Sequence, residues 1–164
     1  MQRPTGFTLI ELIVTVAIIA ILAGIALPSY TSYIVRGKIT EATSNLLAMR
    51  TKMEQYFQDN RMYVSPGGGV LAPCAPGSSV PLPVLPHFNV TCPTLTATTY
   101  VIRADGGVDA LGNVIDNTLV GLRLEINEAN QRFTRTVPAG WPISSENLAA
   151  FPKQCWVSKN NGDC

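Results

Sequence analysis

The sequence predicts an α+β domain carried on one long N-terminal helix, with a small antiparallel β-sheet packed on the second half of that helix. Three observations lead there. A 21-residue apolar run with a single charge, Phe7 to Leu27, passes directly into a segment with helical spacing. Beyond residue 97, short stretches alternate apolar and polar residues between turn-forming segments. Four cysteines, Cys74, Cys92, Cys155 and Cys164, all lie after the helix.

The length of 164 residues suits one domain. Apolar residues make up 46% and charged residues 14%, where soluble domains carry about a quarter charged. The excess sits almost wholly in the N-terminal block, so an apolar segment is joined to an ordinary polar domain. A net charge of +1 gives no electrostatic case for nucleic acid or an anionic membrane surface as the main partner. The even cysteine count, with no C-x-x-C and one histidine, points to two disulfides in an oxidising compartment rather than to zinc.

The run from Phe7 to Leu27 spans about 31 Å as a helix, close to the thickness of a bilayer core. Ordinary secretory h-regions are only about 7–15 residues long. Pro28 follows, deletes one backbone hydrogen bond and predicts a kink. Ile39, Ala42, Leu46, Met49, Met53 and Tyr56 then recur at intervals of three and four, with Lys38, Glu41, Asn45, Lys52 and Asp59 between them. That is an amphipathic helix with one apolar stripe. The expectation is one kinked helix from Phe7 to about Asp59. Glu11 is the single charge in the run. Chemistry alone leaves two readings open: a tolerated residue near the helix end that snorkels to the interface, or a charge kept for a positive partner in another subunit.

The segment Gly6-Phe7-Thr8-Leu9-Ile10-Glu11 resembles the processing motif of class III signal peptides in type IV prepilins and pseudopilins. The short leader with Arg3, the glycine before the cut, the aromatic after it and the glutamate four residues on all agree in register; the apolar run, Pro28 and Tyr30 continue the likeness. The stretch from Lys52 to Arg61, with the Gly140-Trp141 and Cys155-Trp156 pairs, resembles the PilE-type group of pilins, often minor subunits. The resemblance implies the type IV pilin fold and a non-enzymatic filament subunit without a cofactor. It implies a leader of residues 1–6, a transmembrane and filament-core helix of residues 7–28, and an extracytoplasmic globular domain of residues 29–164. Prepilin peptidase would cut between Gly6 and Phe7 and methylate the new amine of Phe7. Glu11 would then offset the Phe7 ammonium of an adjacent subunit, because pairing relieves the cost of two charges in an apolar core. The implied partners are lipid before assembly, other pilin subunits after it, the peptidase and an inner-membrane assembly platform. The implied location is the inner membrane first and the cell-surface pilus afterwards, with roles in assembly, adhesion or twitching motility. Alternatives are a type II secretion pseudopilin, which shares the leader, and a minor pilin that binds DNA for uptake. A different class is a secreted binding protein cut after Gly24-Ile25-Ala26.

In the globular part, the six prolines and the run Gly67-Gly68-Gly69 between Tyr63 and His87 predict a long irregular loop reaching Pro93. Cys74–Cys92 is the bridge expected there, and Cys155–Cys164 would close a short surface loop. Strands are expected over Thr98–Ala104, Leu119–Ile126 and Gln131–Val137, the last two joined as a hairpin through Asn127–Asn130. On the second, Leu122, Leu124 and Ile126 face one way, Arg123 and Glu125 the other; on the third, Phe133 opposes Arg132 and Thr134.

The remaining site candidates have plainer readings. His87 has no cysteine pair or carboxylate beside it in sequence and reads as a surface or partly packed histidine. Asp105, Asp109 and Asp116 do not fit an EF-hand and read as a solvated loop. Arg132, Arg135, Lys153 and Lys159 could form a basic patch for DNA, or simply be solvated. Asn89-Val90-Thr91 fits a glycosylation sequon, a short pattern common by chance. Trp156 is expected to pack on the neighbouring disulfide. No common catalytic signature is present.

Overall fold

The computed structural model describes residues 8–141, 143 and 152–164. The expected leader, Gly6 and Phe7 lie outside the described residues. The order of elements is one helix, α1 (Leu9–Asn60), and four strands: β1 (Phe88–Leu95), β2 (Tyr100–Gly106), β3 (Arg123–Asn127) and β4 (Arg132–Thr136). Helical backbone continues through Pro28. The chain divides into two compact units between Ile34 and Val35.

The first unit holds the apolar part of α1. Its described apolar side chains are exposed: Leu9 is 75% exposed, Ile18 51% and Leu22 61%. By length and composition this stretch can cross a membrane.

The second unit is built on the apolar stripe of α1. Ile39, Ala42, Leu46, Met49, Met53 and Tyr56 are all buried, as the three–four spacing requires. Against them lie Tyr100, Ile102 and Ala104 of β2 and Leu124 and Ile126 of β3, all fully buried. The helix ends with Arg61 at φ 59°, whose amide bonds the Phe57 carbonyl at 2.7 Å; this is a left-handed cap made without glycine.

The sheet is antiparallel with strand order β1-β2-β3-β4. Two sequence expectations need correction. The irregular loop ends at Phe88, not Pro93, because residues 88–95 form β1. Pro93 is tolerated there because β1 is an edge strand and its register shifts between Thr91 and Thr94. The second expected strand starts late: Leu119 to Leu122 form a turn closed by Leu122 N donating to Leu119 O at 2.9 Å, with both leucines buried. On β4 Phe133 and Thr134 take opposite faces as expected, and the polar residue is the inward one. Thr134 is fully buried, and Phe133 pairs with Glu125 on the opposite face.

The C-terminal segment explains why Thr134 faces inward. Thr134 and Lys153 exchange both backbone hydrogen bonds at 3.0 Å. The Thr134 hydroxyl donates to Cys155 O at 2.8 Å and accepts from Val157 N at 3.0 Å. Val157 is itself fully buried. A hydroxyl is therefore the group this site needs, and a phenyl ring would leave two backbone groups unpaired. The disulfides Cys74–Cys92 and Cys155–Cys164 have Cα separations of 6.3 and 5.8 Å, ordinary values for such links. The first ties the long loop to β1; the second closes the tail that pairs with β4.

Thr134→Val keeps the side-chain shape but strands the Cys155 carbonyl and the Val157 amide. The expected loss is about 1–3 kcal/mol, read as a lower urea midpoint for the full chain in detergent. An unchanged midpoint would show that the tail is not held through this hydroxyl.

Candidate functional site

The start of α1 is fixed by two side chains. Thr8 occupies the N-cap and Glu11 the third helical position. The Thr8 amide and hydroxyl donate to Glu11 Oε2 at 3.1 and 3.0 Å, and the Glu11 amide donates to Thr8 Oγ1 at 3.3 Å. This is a reciprocal capping box. Two amides that lipid could not satisfy are satisfied within the helix. The sequence reading weighed Glu11 only as a charge; the T-x-x-E spacing was the signal for its second task. After it, the exposed apolar surface runs from Leu9 through Ile25.

In the second unit the candidate charged residues are sorted into separate pairs. His87 does have a carboxylate neighbour, brought by the fold. Its Nδ1 lies 3.1 Å from Asp116 Oδ2, and Lys38 Nζ lies 2.6 Å from the same oxygen. The imidazole contact is close but poorly aligned for a hydrogen bond, so Lys38 is the real partner. Thr118 donates its amide and hydroxyl to Asp116 Oδ1 at 3.0 and 2.6 Å. Burial pushes the Asp116 carboxyl up, but Lys38 and Thr118 outweigh it and hold it below the usual value.

Asp109 accepts the Asn113 side-chain and backbone amides and the Leu111 amide at 2.8–2.9 Å, which lowers its carboxyl. Asp105 accepts Arg123 Nε at 2.7 Å. The three aspartates thus serve different partners. Among the described residues no group of three or more acids, histidines or cysteines is arranged for a metal ion.

Glu125, on the face opposite Leu124 and Ile126 as expected, is nevertheless only 3% exposed. It is held between Arg103 Nε at 2.8 Å and Arg135 Nε at 2.5 Å. Burial raises its carboxyl, and the two guanidiniums overcome that and lower it. Of the four expected basic residues, Arg135 pairs through Nε with Glu125, Arg132 stacks 5.2 Å from the Trp156 ring centroid, and Lys153 Nζ donates to Gly162 O at 2.9 Å. Trp156 Nε1 donates to Glu125 O at 2.8 Å, so the indole links the tail to β3.

At the far end of the helix, Tyr63 and Tyr100 both donate to Glu54, Tyr100 at 2.8 Å. Burial, then the Glu54 carboxylate, raises the Tyr63 phenol to about 12 and the Tyr100 phenol further. These phenols stay protonated donors at any working pH.

A naked apolar helix with one acid in its first turn, continued into a disulfide-closed head in which it packs on four antiparallel strands, has the fold of the pilin class. Residues 28–109, half the chain, match the family described as type IV minor pilin ComP, DNA uptake sequence receptor. Residues 1–27 match the prokaryotic N-terminal methylation motif. The chain belongs to the type IV minor pilins.

Relatives include a probable minor fimbrial protein of Dichelobacter nodosus, 39% identical over 49% of this chain and 50% of its own. A fimbrial protein of Pseudomonas aeruginosa is 45% identical over 40% of this chain and 42% of its own. The major pilin PilA of Myxococcus xanthus is 46% identical over 37% and 28%. The chain thus spans half or less of the length of these curated relatives. A solved structure, the non-core minor pilin PilV of Neisseria meningitidis, aligns with 66% of this chain and 97% of its own at 16% identity and TM-score 0.47.

The lowered carboxyls set the direction of acid sensitivity. Asp116 and Glu125 bind protons more weakly folded than unfolded, so their stabilisation is present above the ordinary carboxylate value of about 4 and is lost as pH falls through the lowered folded values. Urea midpoints should be level from about pH 7 to 5 and drop below about 4. Glu125→Gln should flatten part of that drop; an identical acid profile would mean the pair does not govern it.

Proposed function

We propose that this chain is a structural, non-enzymatic subunit of a type IV pilus, one that exchanges lipid for sister helices when it enters the filament. The observation that carries this is the exposed apolar stretch of α1 with Glu11 as its one charge. Among the described residues no surface of the head supplies a comparable area of apolar side chains, so this one needs an external partner. In the bilayer that partner is hydrocarbon; in the filament it is the same stretch of other pilins. Prepilin peptidase cuts between Gly6 and Phe7 and methylates the Phe7 amine. The assembly platform then extracts the subunit. Glu11 offsets the Phe7 ammonium of a neighbour and sets axial register, and Pro28 lets the helix bend or loosen on entry. The head, residues 29–164 by composition, stays outside the inner membrane, where its two disulfides form.

The mass of the cellular form is the first test. A start at methylated Phe7 is expected; a start at Leu27 would make the apolar segment an export tag. Glu11→Val should leave insertion intact and cut recovery in sheared filaments by about a hundredfold or more, the scale of one unpaired charge in an apolar site. Normal recovery would defeat the pairing.

The description of the matching family favours a second reading, in which the head also takes up DNA on the filament surface. Duplex binding by the full chain in detergent should weaken steeply between about 50 and 200 mM salt if phosphates are engaged; salt-independent or absent binding would remove this reading.

A further inference from the structure

The outer face of the sheet, away from α1, carries three arginines around one buried acid. Arg103 of β2 stands directly opposite Glu125 of β3, and Asp105 stands opposite Arg123. Arg135 comes from the register shift in β4, where Thr136 pairs with Arg123 and Thr134 with Leu124, leaving Arg135 as the extra residue. A bulge re-aims a side chain, and here it brings the Arg135 guanidinium to Glu125 from the side opposite Arg103. The Phe133 ring lies 4.5 Å from Arg135 Cζ and supports one face of its plane.

All three ion pairs use Nε: Arg103 and Arg135 to Glu125, Arg123 to Asp105. The Nη nitrogens of these three residues donate to no acceptor among the described residues. Each guanidinium is therefore locked in plane by a carboxylate at one corner and keeps its forked donors free. Arg103, Arg123, Arg135 and Glu125 line one cleft of about 300 Å³, with the exposed Thr94 on its wall. Three positive charges face two negative ones. A ladder that served only to neutralise the sheet would balance; this one has an unspent charge and unspent donors. Fixed, forked guanidiniums match the oxygens of a tetrahedral anion.

We infer that this cleft is an oxyanion site, in which the Nη donors of Arg103, Arg123 and Arg135 hold a phosphate- or sulfate-class group. The site does not depend on the filament reading. It stands on the sheet rather than on α1, and the anion arrives either free or as part of a phosphodiester backbone.

The test uses the full mature chain in detergent with ¹⁵N-labelled arginine. Inorganic phosphate is titrated at constant ionic strength against chloride. The Nε–H signals of Arg103, Arg123 and Arg135 should shift together and saturate, while that of Arg132, stacked on Trp156, should not follow. Arg123→Gln should weaken phosphate by about tenfold, the usual scale for a lost charge-assisted bond. Arg123→Lys keeps the charge without the fork and should also weaken it, with the urea midpoint confirming that both variants fold. A short duplex oligonucleotide forms the second arm. Stronger shifts at the same three signals assign the anion to a nucleic-acid backbone; weaker ones assign it to free oxyanions. Shifts that chloride reproduces, that never saturate, or that survive Arg123→Gln unchanged overturn the site.

Discussion

One unbroken run of α-helix has to satisfy two kinds of surroundings, and most of the molecule follows from that requirement. From Leu9 to Ile25 the helix shows apolar side chains on every side, and all of them are exposed. From Val35 onward it shows a single stripe, and the stripe is the floor of the core. The second unit could not close without it: β2 and β3 set their buried residues against Ile39, Leu46 and Met53, and no second helix is present among the described residues to do so. Burial of such side chains contributes roughly 1.5–3 kcal/mol each. The first unit has no such outlet among the described residues, and its apolar side chains stay bare.

Much of this was legible in the sequence, and the reasons differ by element. The stripe was legible because a period of 3.6 cannot be produced by a strand. β2 was legible from its β-branched and aromatic residues. β1 was hidden because Pro93 and Cys92 fall inside it, and a proline argues against a strand unless the strand is an edge and already irregular. The orientation of β4 could not be read at all. Alternation says that Phe133 and Thr134 face opposite ways, but which one faces inward was decided by a tail some twenty residues later that brings its own apolar residue, Val157, and asks β4 for a hydroxyl. In the candidate site, Glu11 was visible as a charge while its bond to Thr8 went unread, although the spacing was there.

The acids and bases teach a related point. Net charge near zero is compatible with scattered, solvated residues or with tight local neutralisation, and this chain uses the second. Glu125 sits nearly dry between two guanidiniums, and Asp116 gathers Lys38, Thr118 and the His87 ring at one carboxylate. Such arrangements depend on residues 10 to 78 positions apart, so no window along the chain reveals them. Removing one member is costly because the other is left in a poor solvent for charge.

The tail has a consequence for the rim of the sheet. Cys155 and Cys164 bracket the segment whose neighbour, Lys153, is the only backbone partner of β4 on its outer side among the described residues. Without that pairing the last strand would offer a row of unpaired donors and acceptors, the template on which a further strand adds. The tail blunts this sticky rim.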